Sequence, residues 1–242
     1  MLNSIRARAG QIIGRSHMTR QANCQDSYAL AQTESAVIGV VCDGCGEGHH
    51  SEVGSTLAAK YIIAQCLQLI DEKCDLAEIP AVLYPRIVDY LEDLIKVSMP
   101  INRLQFVQHH LLFTIVGVIL TQEGGIIFSS GDGLIAVDDT VNSINQNNKP
   151  AYIAYHLIRE NVISTSVIQH DFTTQIVDDW QRIVIATDGF ETQLLPELRA
   201  LQHPRSLQRK LNVWSNQQRR FQDDATLIVL DKVESRDNES TD

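Results

Sequence analysis

The sequence predicts a mixed α+β layered fold, on three observations. Short β-branched runs that read as strands come in meanders. Two long helical stretches follow one of them in direct succession. The regular strand–helix alternation of a doubly wound parallel sheet is missing.

In chain order, "YALAQ" at 28–32 is expected as the first strand, and "SAVIGVVC" at 35–42 as a buried one, because it is β-branched and ends in glycine-rich sequence. An amphipathic helix then begins at Ser51, the expected N-cap, with Val53, Leu57, Tyr61, Cys66 and Leu69 on its apolar face. A second helix is expected over 81–97, its start confined by Pro80 and Pro85, with Leu83, Ile87, Tyr90, Leu91, Leu94 and Ile95 on one face. The period then changes. "LLFTIVGVIL", the turn "TQEGG" and "IIFSSG" read as a hairpin, with His109 and His110 as surface residues just before it, and "LIAV" at 134–137 as a further strand. "NSINQNNKP" is a polar loop, and 142–179 is where substrate-contacting loops are expected. "RIVIAT" at 182–187 and "ATLIVL" at 225–230 are strands, separated by helical sequence around 194–201 and 206–219.

A chain of 242 residues, 44% hydrophobic, can bury a substantial core, and residues 1–231 are expected to form one domain. Residues 232–242 are charged and nearly free of apolar side chains, the composition of a disordered acidic tail. No apolar run approaches the roughly 20 residues needed to span a bilayer, and "MLNSIRARAG" lacks the apolar centre of a signal peptide. A cytoplasmic protein without a membrane partner is expected, acting as a monomer. Five cysteines, an odd number, suit reduced thiols better than a disulfide framework. The net charge of −10, with no block of Lys and Arg, argues against nucleic acid as a partner. It also disfavours an anionic substrate unless bound cations reverse the local field.

Lining up the strand ends brings out a pattern. Asp43-Gly44, Asp132-Gly133 and Asp188-Gly189 each follow an apolar run, Asp223-Asp224 precede the last strand, and Asp26 precedes the first. One Asp-Gly alone is an ordinary turn. Several at strand ends could converge, and converging carboxylates repel unless a divalent cation lies between them. Asp and carbonyl oxygens suit hard ions such as Mg²⁺ or Mn²⁺. The C-x-x-C pair Cys42 and Cys45, with His49 and His50, offers a zinc-knuckle alternative, but that reading leaves the other Asp-Gly ends unexplained.

"RQANCQDS", "VCDGCGEGHHSEVGSTLAA", "SSGDG", "VIATDGFET" and "QDDATLIVL" resemble, in order and spacing, the motifs of the type 2C metal-dependent Ser/Thr protein phosphatases, and the opening "GRSHMTRQANCQDSYAL" a bacterial subgroup. The resemblance implies a four-layer α-β-β-α sandwich, two antiparallel sheets flanked by helices, with two or three Mn²⁺ or Mg²⁺ ions at one end. It implies Asp43 as the carboxylate bridging two metals, the Gly44 carbonyl on one of them, Asp188 and Asp223 as further ligands, Asp132 at a third ion, and Asp26 reaching metal-bound water. Arg20 is the candidate for holding phosphate, one residue farther from Gln25 and Asp26 than the family spacing, with Arg15 nearby. Gln25 stands where many members have Glu, Cys45 where some have a proton-donating His, and Thr192 where some have an Asp at the extra metal.

The implied activity is hydrolysis of phosphoserine or phosphothreonine, placed on a protein by a Ser/Thr kinase, through direct attack of a metal-bridging hydroxide. Phosphate monoesters need acceleration of up to about 10²¹-fold, whereas one general acid or base supplies about 10² to 10⁴. Metals must supply most of it. The C-x₅-R signature of thiolate phosphatases and the G-x-x-x-x-G-K-[ST] loop are both absent. Gln25, Cys45 and the offset Arg20 also motivate an alternative, a catalytically weak relative that binds phosphoproteins as a regulatory module.

Overall fold

The computed structural model describes residues 2–146, 149–158, 168–201 and 203–233. Among these, the chain runs β1 (Ile5–Ile12), α1 (Arg15–Arg20), β2 (Ser27–Gln32), β3 (Val37–Cys42), α2 (Ser51–Asp71), α3 (Ile79–Ser98), α4 (Arg103–His110), β4 (Ile115–Leu120), β5 (Gly125–Ser130), β6 (Gly133–Val137), β7 (Thr140–Ile144), β8 (Thr173–Val177), β9 (Arg182–Ala186), α5 (Leu195–Leu198), α6 (Ser206–Asn216) and β10 (Ala225–Lys232). The strands form two five-stranded sheets, in the orders β1-β10-β9-β6-β7 and β2-β3-β4-β5-β8, with every pairing antiparallel.

Strict alternation along the central strands makes four layers. Val37 and Val41 of β3, Val116 and Val118 of β4, and Ile127 of β5 pack between the sheets against Ile135, Ile183, Ile185, Ile228 and Leu230. The residues in between turn outward. Ile38, Val40 and Cys42 meet α2 and α3, while Leu134, Val184, Leu227 and Val229 meet α6. Both faces are covered, which is why these strands read as continuous apolar runs. Each fully buried Ile or Leu stabilises the sandwich by about 1.5–3 kcal/mol relative to exposure.

Several elements differ from the sequence expectation. β1 precedes the strand expected first, and its Arg8, 2% exposed, ion-pairs with Asp231. β7 falls partly in the expected polar loop, and β8 is a further strand; both lie at sheet edges and are mostly exposed, so they lack an apolar pattern. The last strand runs two residues past Leu230, and residues 234–242 of the expected tail lie outside the described residues. So do 147–148 and 159–167 within the expected substrate-contacting stretch.

The buried face of α2 is Gly54, Ser55, Ala58, Ala59, Ile62, Cys66 and Leu69, whereas Val53 is 42% and Leu57 36% exposed. Small side chains let this helix approach β2 and β3 closely, so contact distance overrides apolar periodicity. His50, not Ser51, occupies the N-cap position, and the Ser51 hydroxyl donates instead to the Cys45 carbonyl at 3.0 Å. By length and composition alone α2 could cross a membrane, but here its small face packs as a core helix. α3 begins two residues earlier than expected and carries Pro85 inside its first turns.

Candidate metal centre

Antiparallel register gathers the acids at one end of the sandwich. Ser27 pairs with Cys42, so Asp26 and Asp43, the next residues outward, leave β2 and β3 side by side. Leu227 pairs with Ala186, which sets the end of β9 against the start of β10 and hence Asp188 near Asp223 and Asp224. Asp132 sits between β5 and β6. The glycines are needed here for close approach. A Cβ at Gly189 would lie 1.8 Å from the Asp224 carbonyl oxygen, and one at Gly44 would lie 2.5 Å from the Gln25 carbonyl.

A cavity of about 770 Å³ opens at this end, and Asp43, Gly44, Asp132, Asp188, Asp223 and Asp224 are on its walls. Asp26 lies behind it, 2% exposed, with Oδ2 accepting the Thr187 hydroxyl at 2.7 Å. Asp43 is within side-chain hydrogen-bond reach of both Asp26 and Asp188. Loss of solvation, and then the charges of Asp26 and Asp188, push the Asp43 carboxyl well above the usual carboxylate range. Desolvation pushes Asp26 up to about 7, against the Thr187 hydrogen bond and with the Asp224 charge adding. Asp132 is raised too, by desolvation opposed by the Gln146 N–H, which donates to Oδ1 at 2.7 Å.

Among the described residues, Lys149 is the only Lys or Arg on these walls. Carboxylates held this close without matching cations fit a divalent-ion centre, and the donor set, Asp oxygens with a nearby carbonyl at Gly44, is that of a hard ion such as Mg²⁺ or Mn²⁺. A nitrogen donor lies beside them. The ligand atoms of His17, Asp223 and Asp224 all fall within 4.8 Å of one another, the one such group among the described residues.

Other candidates lie elsewhere. Arg20 is exposed, off the cavity walls, with Nε donating to the Ser16 carbonyl at 3.4 Å; α1 turns it outward. Arg15 donates to Gln222 Oε1 at 3.0 Å. Gln25 is buried, its side-chain amide donating to the Gly48 carbonyl at 2.6 Å, so it braces the loop after β3 and is not on the walls. Thr192 is exposed in a short 3₁₀ turn. The four knuckle residues do not come together as ligands: Cys42 is buried in the core under α2, its thiol pushed up by burial, while Cys45 lies with Tyr152 on the cavity wall. His49 packs on His109, ring centroids 4.3 Å apart, and His50 Nδ1 lies 3.4 Å from Glu52 Oε1.

Among the wall residues that the sequence reading did not place there are His17, His109, Lys149 and Tyr152. His109, expected at the surface, lies in the last turn of α4 and faces the cavity; desolvation, then His49, His110 and His50, lower its proton affinity. His17 falls within the quoted opening stretch but has no role assigned by it, and the others lie outside the quoted motifs; each reaches the cavity through packing of distant elements.

Solved structures share this fold. PppA, described as a key regulatory component of T6SS in Pseudomonas aeruginosa, matches with a TM-score of 0.62 at 13% identity, over 94% of this chain and 97% of that one. The catalytic domain of the serine/threonine protein phosphatase PstP, in complex with two manganese ions, matches with a TM-score of 0.59 at 14% identity, over 95% and 99%. RsbX in complex with magnesium matches with a TM-score of 0.57 at 14% identity, over 94% of each chain. No curated protein matches the chain in sequence. The family model described as protein phosphatase 2C matches residues 13–226, a span that holds β2 through β9 and all the acids of the cavity. On that match, the chain belongs to the protein phosphatase 2C family.

Proposed function

We propose that the chain is a divalent-metal-dependent phosphatase of phosphoserine and phosphothreonine in proteins. The observation that supports this most is the convergence of Asp43, Asp132, Asp188 and Asp223 on one cavity in a member of this family. Asp43, Asp188, Asp223 and the Gly44 carbonyl would hold two ions, Mn²⁺ or Mg²⁺, and Asp132 would serve a third. Such ions, when bound, supply an acidified water and neutralise charge on the phosphoryl oxygens.

The chain's own residues then do the positioning. Thr187 fixes Asp26, and Asp26 holds the Asp43 carboxylate from behind. Lys149 offers the substrate phosphate a cation on the cavity wall, in place of Arg20. Tyr152 is a donor on the same wall, and burial keeps its hydroxyl protonated. The test is phosphate release from a phosphothreonine peptide with Mn²⁺ and with chelator. Release that requires the ion supports the reading. Peptide binding without release in the Mn²⁺-loaded protein would instead make the chain a phosphoprotein-binding module.

A further inference from the structure

α1 is held by its backbone to the turn before β10. Arg15 N–H donates to the Phe221 carbonyl at 3.2 Å, and Ser16 N–H to the Gln222 carbonyl at 3.0 Å. This carries His17 inward to the wall of the acid cavity, where it is 2% exposed. Its Nδ1 stands 2.7 Å from Asp224 Oδ2, yet off the line of a hydrogen bond, so that among the described residues neither ring nitrogen has a hydrogen-bond partner. Asp224 does not depend on the ring. Its Oδ1 accepts the Gly14 N–H at 2.7 Å and its Oδ2 the Gln25 N–H at 2.6 Å.

A buried polar atom without a partner is costly, and the Asp224 contact alone would satisfy only one of the two nitrogens. A histidine that binds a metal characteristically turns one ring nitrogen to a carboxylate and gives the other to the ion. His17 has the carboxylate, Asp224, on one side. Asp223, exposed to the cavity, is the oxygen ligand close enough to share an ion with it.

We propose that His17 is a nitrogen ligand, together with Asp223, to one of the divalent ions of the acid cavity, and that Asp224 orients its ring. This rests on the proposed metal dependence of the site. It adds a preference: an imidazole donor favours a first-row transition ion such as Mn²⁺ or Fe²⁺ over Mg²⁺.

Electron spin-echo spectroscopy of the full chain loaded with stoichiometric Mn²⁺ tests it. The expected spectrum carries a ¹⁴N modulation that changes to the ¹⁵N pattern on histidine labelling, a result that needs no substitution. His17→Gln removes the modulation, and His109→Gln, at the other histidine on the wall, leaves it. By calorimetry His17→Gln weakens Mn²⁺ binding by at least about 10-fold, with Mg²⁺ affected less. Absence of nitrogen modulation in the native chain, or modulation that survives His17→Gln, overturns the proposal. The two readings fail separately: modulation without phosphatase turnover removes the proposed function and keeps the ligand, whereas turnover without modulation removes the ligand alone.

Discussion

The Thr187 hydroxyl donates to Asp26 Oδ2 at 2.7 Å and accepts the Thr226 N–H at 2.9 Å, so one side chain ties β9 to both the buried acid of β2 and the start of β10. Thr187→Val leaves an acceptor and a donor buried without partners. A loss of about 1–3 kcal/mol in urea unfolding is expected, together with weaker Mn²⁺ binding. Thr187→Ser, which keeps the hydroxyl, should retain most of both. Equal losses in the two variants would show that packing, not the hydrogen bond, is what matters.

Asp26 also sets a pH dependence in the metal-free protein. Its folded pKa of about 7 lies above the unfolded value, so the folded chain binds the extra proton between about pH 4 and 7. Stability is therefore highest below that window and falls as pH rises through it. Chemical unfolding in chelator should show a steeper decline from pH 4.5 to 7.5 for the native chain than for Asp26→Asn. A decline no steeper than that of Asp26→Asn would contradict the assignment.

Gly189→Ala is expected to cost about 1–3 kcal/mol and to weaken Mn²⁺ binding, because its Cβ would meet the Asp224 carbonyl and force the ends of β9 and β10 apart. Gly46→Ala is the comparison, since a Cβ there meets nothing within 4 Å and unfolding should be nearly unchanged.

At the other end of β10, Asp231 pairs with the buried Arg8 and with Arg182, the latter at 2.5 Å. Asp231→Ala leaves Arg8 uncompensated and should destabilise by about 3–5 kcal/mol. Mn²⁺ affinity measured below the unfolding transition should not change, because six strand residues, about 23 Å of strand, separate Asp231 from Asp224.

The contrast between β10 and β1 explains what could be read from the chain alone. "ATLIVL" is buried on both faces and announces itself, whereas β1 carries Arg6 and Arg8, and Arg8 is buried only because Asp231 lies beside it at the far end of the chain. No local window contains that compensation. The acids were legible because Asp-Gly after an apolar run is a local signal, and register then brings Asp26, Asp43, Asp188 and Asp223 to one end. Arg20 was not, since spacing along the chain does not give the direction in which α1 turns its side chains. The same turn that points Arg20 outward puts His17 on the cavity wall. The Val53 and Leu57 face of α2 was misread because apolar periodicity cannot weigh the closer contact that Gly54, Ser55, Ala58 and Ala59 permit.

The convergence of carboxylates on a hydrolytic centre is tested most directly by one comparison: phosphate release from a phosphothreonine peptide by the native chain and by Asp43→Asn, both with Mn²⁺ and both confirmed folded by urea unfolding. The native chain should turn over only with the ion, and Asp43→Asn should fall to the level seen in chelator. Turnover by Asp43→Asn at the native rate would contradict the account.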